Sequence, residues 1–232
     1  MQILQRDSLP LGGFAGLKEH RIVTDSRVFG ARKNPQASEG LGNFVYLADA
    51  RFQPHGETGM HPHKEIDVIS VMVEGRVSHE GSLEHGTSLE QGHVQAQRAG
   101  GEGFAHNEIN PDSSRNRMIQ LWVVPEESGR PAGYHYYKPQ NQGKTRIYGG
   151  DKQQQHSFDS HTLIDIVRLK QGQSIDIDGD SLHYITAGKA EFSESGQSQQ
   201  AGDGSLVRAN KVSITALSDC ELISVTLMQE QG

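Results

Sequence analysis

Four side chains able to hold a metal ion fall in two short clusters, His61-Pro62-His63 and His106-Asn107-Glu108. In an extended strand successive side chains alternate faces, so His61 and His63 project together, as do His106 and Glu108. A barrel that brings the two pairs face to face makes one site of three imidazoles and one carboxylate. That donor set suits a first-row transition metal. Calcium and magnesium prefer all-oxygen shells, and the set lacks the thiolates of a structural zinc site. Four protein ligands leave up to about two positions open on a six-coordinate ion, so water, dioxygen or a chelating substrate can enter, as in a catalytic rather than a closed site.

The surroundings of the two clusters fit strands at a barrel mouth. His61 and His63 follow the turn-forming Gly56-Glu57-Thr58-Gly59 and precede the apolar run Ile66 to Val73. His106 and Glu108 follow Ala99-Gly100-Gly101-Glu102-Gly103-Phe104-Ala105, whose glycines permit a sharp bend and close backbone approach. Glu108 is read as a ligand, and His55 and Glu57, near the mouth, as solvated loop polarity. Glu65 and Asp67 share strand parity with the ligands and serve either as acceptors for imidazole N–H groups or in structural hydrogen bonds. His79, His85 and His93 read as scattered loop histidines, and Cys220 as a buried, inert thiol.

The elements that must position these groups are short strands. Runs at Gly42 to Ala48, Ile66 to Val73, Met118 to Val124, Leu163 to Leu169, Leu182 to Thr186, Val212 to Ala216 and Leu222 to Leu227 are separated by Gly, Asn, Asp and Ser. None carries a sustained helical period, and the 27 glycines suit tight β-turns, so the chain reads as all-β, of sandwich or barrel type. Pro125 to Gln155 reads as an aperiodic connector, with Tyr134-His135-Tyr136-Tyr137 packing a domain against it. Val73-Glu74-Gly75-Arg76-Val77 returns as Thr186-Ala187-Gly188-Lys189-Ala190, which suggests an internal duplication. On that alignment Ala216 and Ser218 stand opposite His106 and Glu108, and Ser174 and Asp176 near His61 and His63, so the second copy has lost its ligands.

Composition narrows the function classes. A formal charge of −7 opposes binding to a phosphate backbone, so no direct nucleic-acid contact is expected. A single cysteine excludes an intrachain disulfide and fits a reducing cytoplasm. Met1 to Leu17 has no continuous apolar stretch, and no later run approaches the roughly 20 apolar residues of a membrane span.

The two clusters, with Val73-Glu74-Gly75 followed by His79 and with Ala99 to Glu108, resemble the two-part motif of the cupin superfamily, and more narrowly the pirin family of two-domain cupins. The resemblance is strong over roughly residues 55 to 125. It weakens before the first motif, where His20 to Pro35 holds only Phe29 as an aromatic. It implies a bicupin of two jelly-roll type β-barrel domains, residues 1–135 holding the metal and residues 136–232 comprising the connector and a degenerate second barrel. It also implies that His61, His63, His106 and Glu108 bind one mononuclear metal, Fe(II) first, with Mn, Co, Ni, Cu or Zn as alternatives, and that Asp67 does not ligate. The activity implied is that of a quercetin 2,3-dioxygenase, which opens flavonol-type chelating phenolics with dioxygen; in that scheme Glu108 is the catalytic residue, a ligand or, when displaced, a proton acceptor, with His55 and Glu57 as further candidate bases. The alternative from another class is a metal- and redox-dependent regulatory protein acting through a protein partner without turnover.

Overall fold

The computed structural model describes residues 1–83 and 88–229; His85 lies outside the described residues. The expectation of an all-β chain holds. Regular structure among the described residues is almost entirely extended, with one four-residue α-helix at Ser26–Phe29 capped by the Asp25 carboxylate. No described helix is long and apolar enough to cross a membrane.

The chain forms two compact units, Leu9–Lys138, and Pro139–Gly232 together with Met1–Ser8. The first unit contains a seven-stranded antiparallel sheet in the order Gly133–Tyr137, Val94–Arg98, Asp67–Glu74, Arg117–Val123, Phe44–Phe52, Leu17–Thr24, Leu11–Phe14. A four-stranded antiparallel sheet runs His61–His63, Phe104–Ile109, Arg76–Gly81, Ser88–Glu90. Phe52, Met72, Met118, Val77 and Leu89, drawn from both sheets, meet in one buried cluster, as sheets that each hide one face must. Asp49 and Arg117, both buried, form a bidentate ion pair with contacts of 3.0 and 2.6 Å.

The second unit is one eight-stranded sheet. Its main path runs Gly143–Gly150, Ser160–Leu169, Cys220–Leu227, Ser174–Ala187, Ser205–Ala216, Lys189–Glu194, Gln197–Gly202, and Gln2–Gln5 pairs with Ser205–Ala216. Val167, Ile185, Phe192, Val207, Ile214 and Leu222 fill its core, against which Met1 and Ile3 pack. The duplication has a structural counterpart: Gly75 and Gly188, at φ +69° and +78°, each make the one-residue link between two strands. Cys220 is buried and free, and burial pushes its thiol up.

Two expectations need correction. Pro125 to Gln155 is not an aperiodic connector, because it contributes the strands Gly133–Tyr137 and Gly143–Gly150. The tyrosine cluster therefore lies in a strand paired with Val94–Arg98. Both strands end their sheets, and Gly133–Tyr137 is half-buried along its whole length, so neither shows the apolar alternation of a strand with one buried face. The apolar runs also understate strand length: Leu182 to Thr186 is the buried part of the fourteen-residue Ser174–Ala187, whose first half is mostly exposed.

Candidate metal centre

His61-Pro62-His63 forms a three-residue strand paired antiparallel with Phe104–Ile109, and the register sets His61 directly opposite His106 and His63 opposite Phe104. Directly opposed residues share a face, which turns three imidazoles toward one another. Two glycines make the approach possible. Gly103, at φ +78°, passes so close to the His63 carbonyl oxygen that an added Cβ would lie 2.8 Å from it. At Gly81, opposite His106, a Cβ would fall 2.3 Å from the Ala105 carbonyl oxygen.

The Nε2 atoms of His61 and His63 stand 2.9 and 3.1 Å from Nε2 of His106, and all three ligand atoms lie within 4.8 Å of one another. Two imidazole nitrogens sharing an ion at about 2.1 Å are about 3.0 Å apart at a right angle and about 3.4 Å apart at the tetrahedral angle. Both spacings to His106 are those of neighbouring ligand atoms on one ion.

The proton assignment agrees. His61 Nδ1–H donates to the Gly59 carbonyl at 2.9 Å, because a carbonyl only accepts, so its Nε2 carries the lone pair. His106 Nδ1 meets His79 Nε2 at 2.6 Å; placing that proton on His106 leaves its Nε2 bare as well. Lone pairs then face each other across 2.9 Å, an arrangement that calls for an electrophile between them. A proton is poorly suited to the role. Burial, then the neighbouring His79, His61 and His63, pushes His106 down to about 2, and burial with His61 pushes His63 down to about 4. His63 and His106 are therefore neutral and ligand-ready at physiological pH.

Glu108 is not part of this close group. It follows His106 on the same strand face, and its carboxylate accepts from Ser70 Oγ and Gln120 Nε2, each at 3.2 Å. Complete burial pushes it up to about 7, with those two hydrogen bonds only partly opposing the shift. Thr58 Oγ1 accepts from the Glu108 backbone N–H at 3.1 Å and fixes the strand there. Trp122 and Phe104 line the cluster, with ring centroids 5.9 and 5.2 Å from His63.

Among the neighbouring residues the expectation for His79 changes. His79 is not a loop histidine. It is buried on Arg76–Gly81, the strand paired to the other edge of Phe104–Ile109, and it holds His106 in place. Its position four residues after Gly75 within the family-like pattern was the available signal. Glu65 and Asp67 make structural hydrogen bonds, the second of their two readings. Glu65 takes φ +52°, which breaks the alternation, and accepts from the Gly129 N–H, while Asp67 accepts from Arg98. Glu57 accepts from Asn107 Nδ2 at 2.6 Å, and His55 is an exposed loop residue. His93 Nδ1 meets the Tyr136 hydroxyl at 2.8 Å, away from the cluster. Ser70, Gln120, Thr58 and Trp122 carried no signal in the sequence, because their roles depend on strands that pair or pack from afar.

Comparison with known proteins agrees with this arrangement. The family model described as Pirin matches residues 26–123. The chain is 30% identical over 172 residues to quercetin 2,3-dioxygenase of Escherichia coli K12, covering 71% of this chain and 74% of that protein. The fold is shared with the nickel(II) complex of the bacterial pirin YhhW from Escherichia coli, at TM-score 0.82 and 21% identity over 98% of each chain. It is shared too with quercetin 2,3-dioxygenase from Acinetobacter baumannii, at TM-score 0.72 and 18% identity over 98% of this chain and 86% of that one. Two all-β units, a converging histidine triad in the first, and these likenesses together place the chain in the pirin family of the cupin superfamily.

Proposed function

We propose that the chain holds one transition-metal ion, iron(II) in its working form, through His61, His63, His106 and Glu108, and that the loaded protein is a dioxygenase acting on flavonol-type chelating phenolics. The observation that carries this reading is the convergence of three imidazole Nε2 atoms, His61 and His63 at 2.9 and 3.1 Å from His106, a spacing suited to an ion and unsuited to a proton. Iron and the phenolic substrate follow from the family resemblance and from the activity for which the relatives are named. When bound, the ion would supply a Lewis-acid position at which a 3-hydroxy-4-keto unit can chelate and meet dioxygen.

The chain's own residues supply the rest. His61 and His63, half-buried, form the solvent side of the cluster, and His106 its buried side. Glu108 would complete the ligand set, and its carboxylate, near 7, is matched to take the proton of a substrate hydroxyl at Oε1 or Oε2. Ser70 and Gln120 hold that carboxylate on one side. Phe104 and Trp122 exclude water beside His63.

Elemental analysis by mass spectrometry of wild type and His61→Ala, after loading with iron under anaerobic conditions, tests the site. About one iron per chain in wild type and loss of most of it in the variant is the expected outcome; equal, trace metal in both refutes the site. Metal-dependent oxygen uptake with a flavonol panel tests the reaction, and its absence in iron-loaded protein removes the dioxygenase reading.

A further inference from the structure

The seven-stranded sheet presents an unusually polar inner face to the imidazole cluster. Ser70 and Gln120, which hold Glu108, are cross-strand partners, and Gln95 pairs with Ser70 on its other side. The adjacent row on the same face runs Gln97, Val68, Trp122. Trp122 touches His63, and Val68 packs with Phe104, whose ring lies against His63 and His106. Gln95 and Gln97 are 1% and 0% exposed. The Gln97 amide nitrogen and oxygen, Gln95 Nε2 and Trp122 Nε1 are buried without a hydrogen-bond partner among the described residues. Gln95 Oε1 alone is engaged, by the Tyr134 hydroxyl at 3.4 Å.

Buried amides without partners weaken a fold, and methionine would fill the same volume without that cost. Barrel interiors are ordinarily filled by apolar side chains, yet here two glutamines stand beside the candidate centre. We propose that Gln97, with Gln95 and Trp122, forms a recognition wall that selects chelating phenolics bearing further hydroxyl groups away from the chelating unit. This rests on the flavonol-binding reading above. Trp122 Nε1 and Gln95 Nε2 only donate, whereas the Gln97 amide donates and accepts. A phenolic hydroxyl both donates and accepts, so it can pair with either kind of group, while an unsubstituted aromatic ring leaves those atoms without a partner. Groups built to bind a hydroxyl discriminate strongly against the analogue that lacks it.

The test compares Gln97→Met with wild type in iron-loaded, anaerobic protein. The probes are quercetin, which carries several hydroxyls, and 3-hydroxyflavone, which carries the chelating unit alone, and binding is read from the absorption shift of the chelate. The variant should bind quercetin about 10- to 100-fold more weakly and 3-hydroxyflavone within about 3-fold of wild type. Its metal-free form should melt about 2 to 5 °C higher, because an orphaned amide has been removed. Trp122→Phe, which keeps a ring and removes the N–H, should show the same selective loss and stands in if Gln97→Met fails to fold. Unchanged selectivity in the variants, or a lower Tm with selectivity retained, overturns the wall and identifies the glutamines as water-linked structural groups. Failure of the loaded wild type to bind either flavonol instead sinks the flavonol-binding reading, and the wall's assignment to phenolics falls with it.

Discussion

Replacing His79 isolates the support of the triad from the triad itself. His79 Nε2 lies 2.6 Å from His106 Nδ1, both rings are buried, and their centroids are 4.8 Å apart. In His79→Leu the His106 Nδ1–H loses its acceptor. Leaving a buried donor unpaired costs about 1–3 kcal/mol, which matches the 10- to 100-fold loss of metal affinity typical when a group orienting a ligating histidine is removed. His79→Gln, whose side-chain oxygen reaches about where Nε2 stood, should recover most of the loss. The assay is competition for iron(II) or nickel(II) against a chromophoric chelator, with circular dichroism to establish that each variant is folded. A folded His79→Leu protein that binds within about 3-fold of wild type would refute the idea that His79 orients His106.

Other perturbations reach the scaffold. Gly103→Ala forces a Cβ to within 2.8 Å of the His63 carbonyl at φ +78°, so it should lower stability by about 1–3 kcal/mol and reduce iron occupancy, read by thermal melting and elemental analysis. Asp49→Asn leaves the buried Arg117 guanidinium without its carboxylate and should cost about 3–5 kcal/mol in urea unfolding; a change under about 1 kcal/mol would contradict the burial argument. In the second unit His183 is fully buried, and burial, with Lys144 nearby, pushes it down to about 3. Its folded value lies below the unfolded value near 6.5, so the unfolded chain protonates first. The contribution is therefore present above about 6.5 and is lost as pH falls toward 3. Relative to the non-titrating His183→Gln, wild type should lose up to about 1.4 kcal/mol per pH unit below 6, and parallel curves would refute the assignment.

Much of the site was legible because strand alternation is a local rule. His-x-His on one short strand and His-x-Glu on another needed only a pairing to meet, and the glycines before His106 announced that the backbones come close. What lay beyond reach came from non-local pairing. Ser70 and Gln120 meet Glu108 from the facing sheet, and nothing near them in the chain marks them. His79 looked like a loop residue because the Arg76–Gly81 strand is short and polar, yet its pairing with Phe104–Ile109 buries it. The alternation that put Glu65 on the ligand face fails there, since one residue at positive φ resets the faces, and of its two readings the structural hydrogen bond holds.

The architecture divides along the same line. The sequence alone determined an all-β chain with one cluster of transition-metal donors, because period-two patterning, glycine placement and ligand chemistry are properties of short segments. Only the tertiary structure decided that Gln2–Gln5 pairs with Ser205–Arg208, nearly the full length of the chain away. It alone decided that three imidazoles converge while Ser70 and Gln120 hold Glu108, and that glutamines with unpartnered amide atoms stand on the same inner face. Those features depend on the register and packing of strands distant in the chain, and a side chain's neighbours across a sheet are not encoded in its neighbours along it.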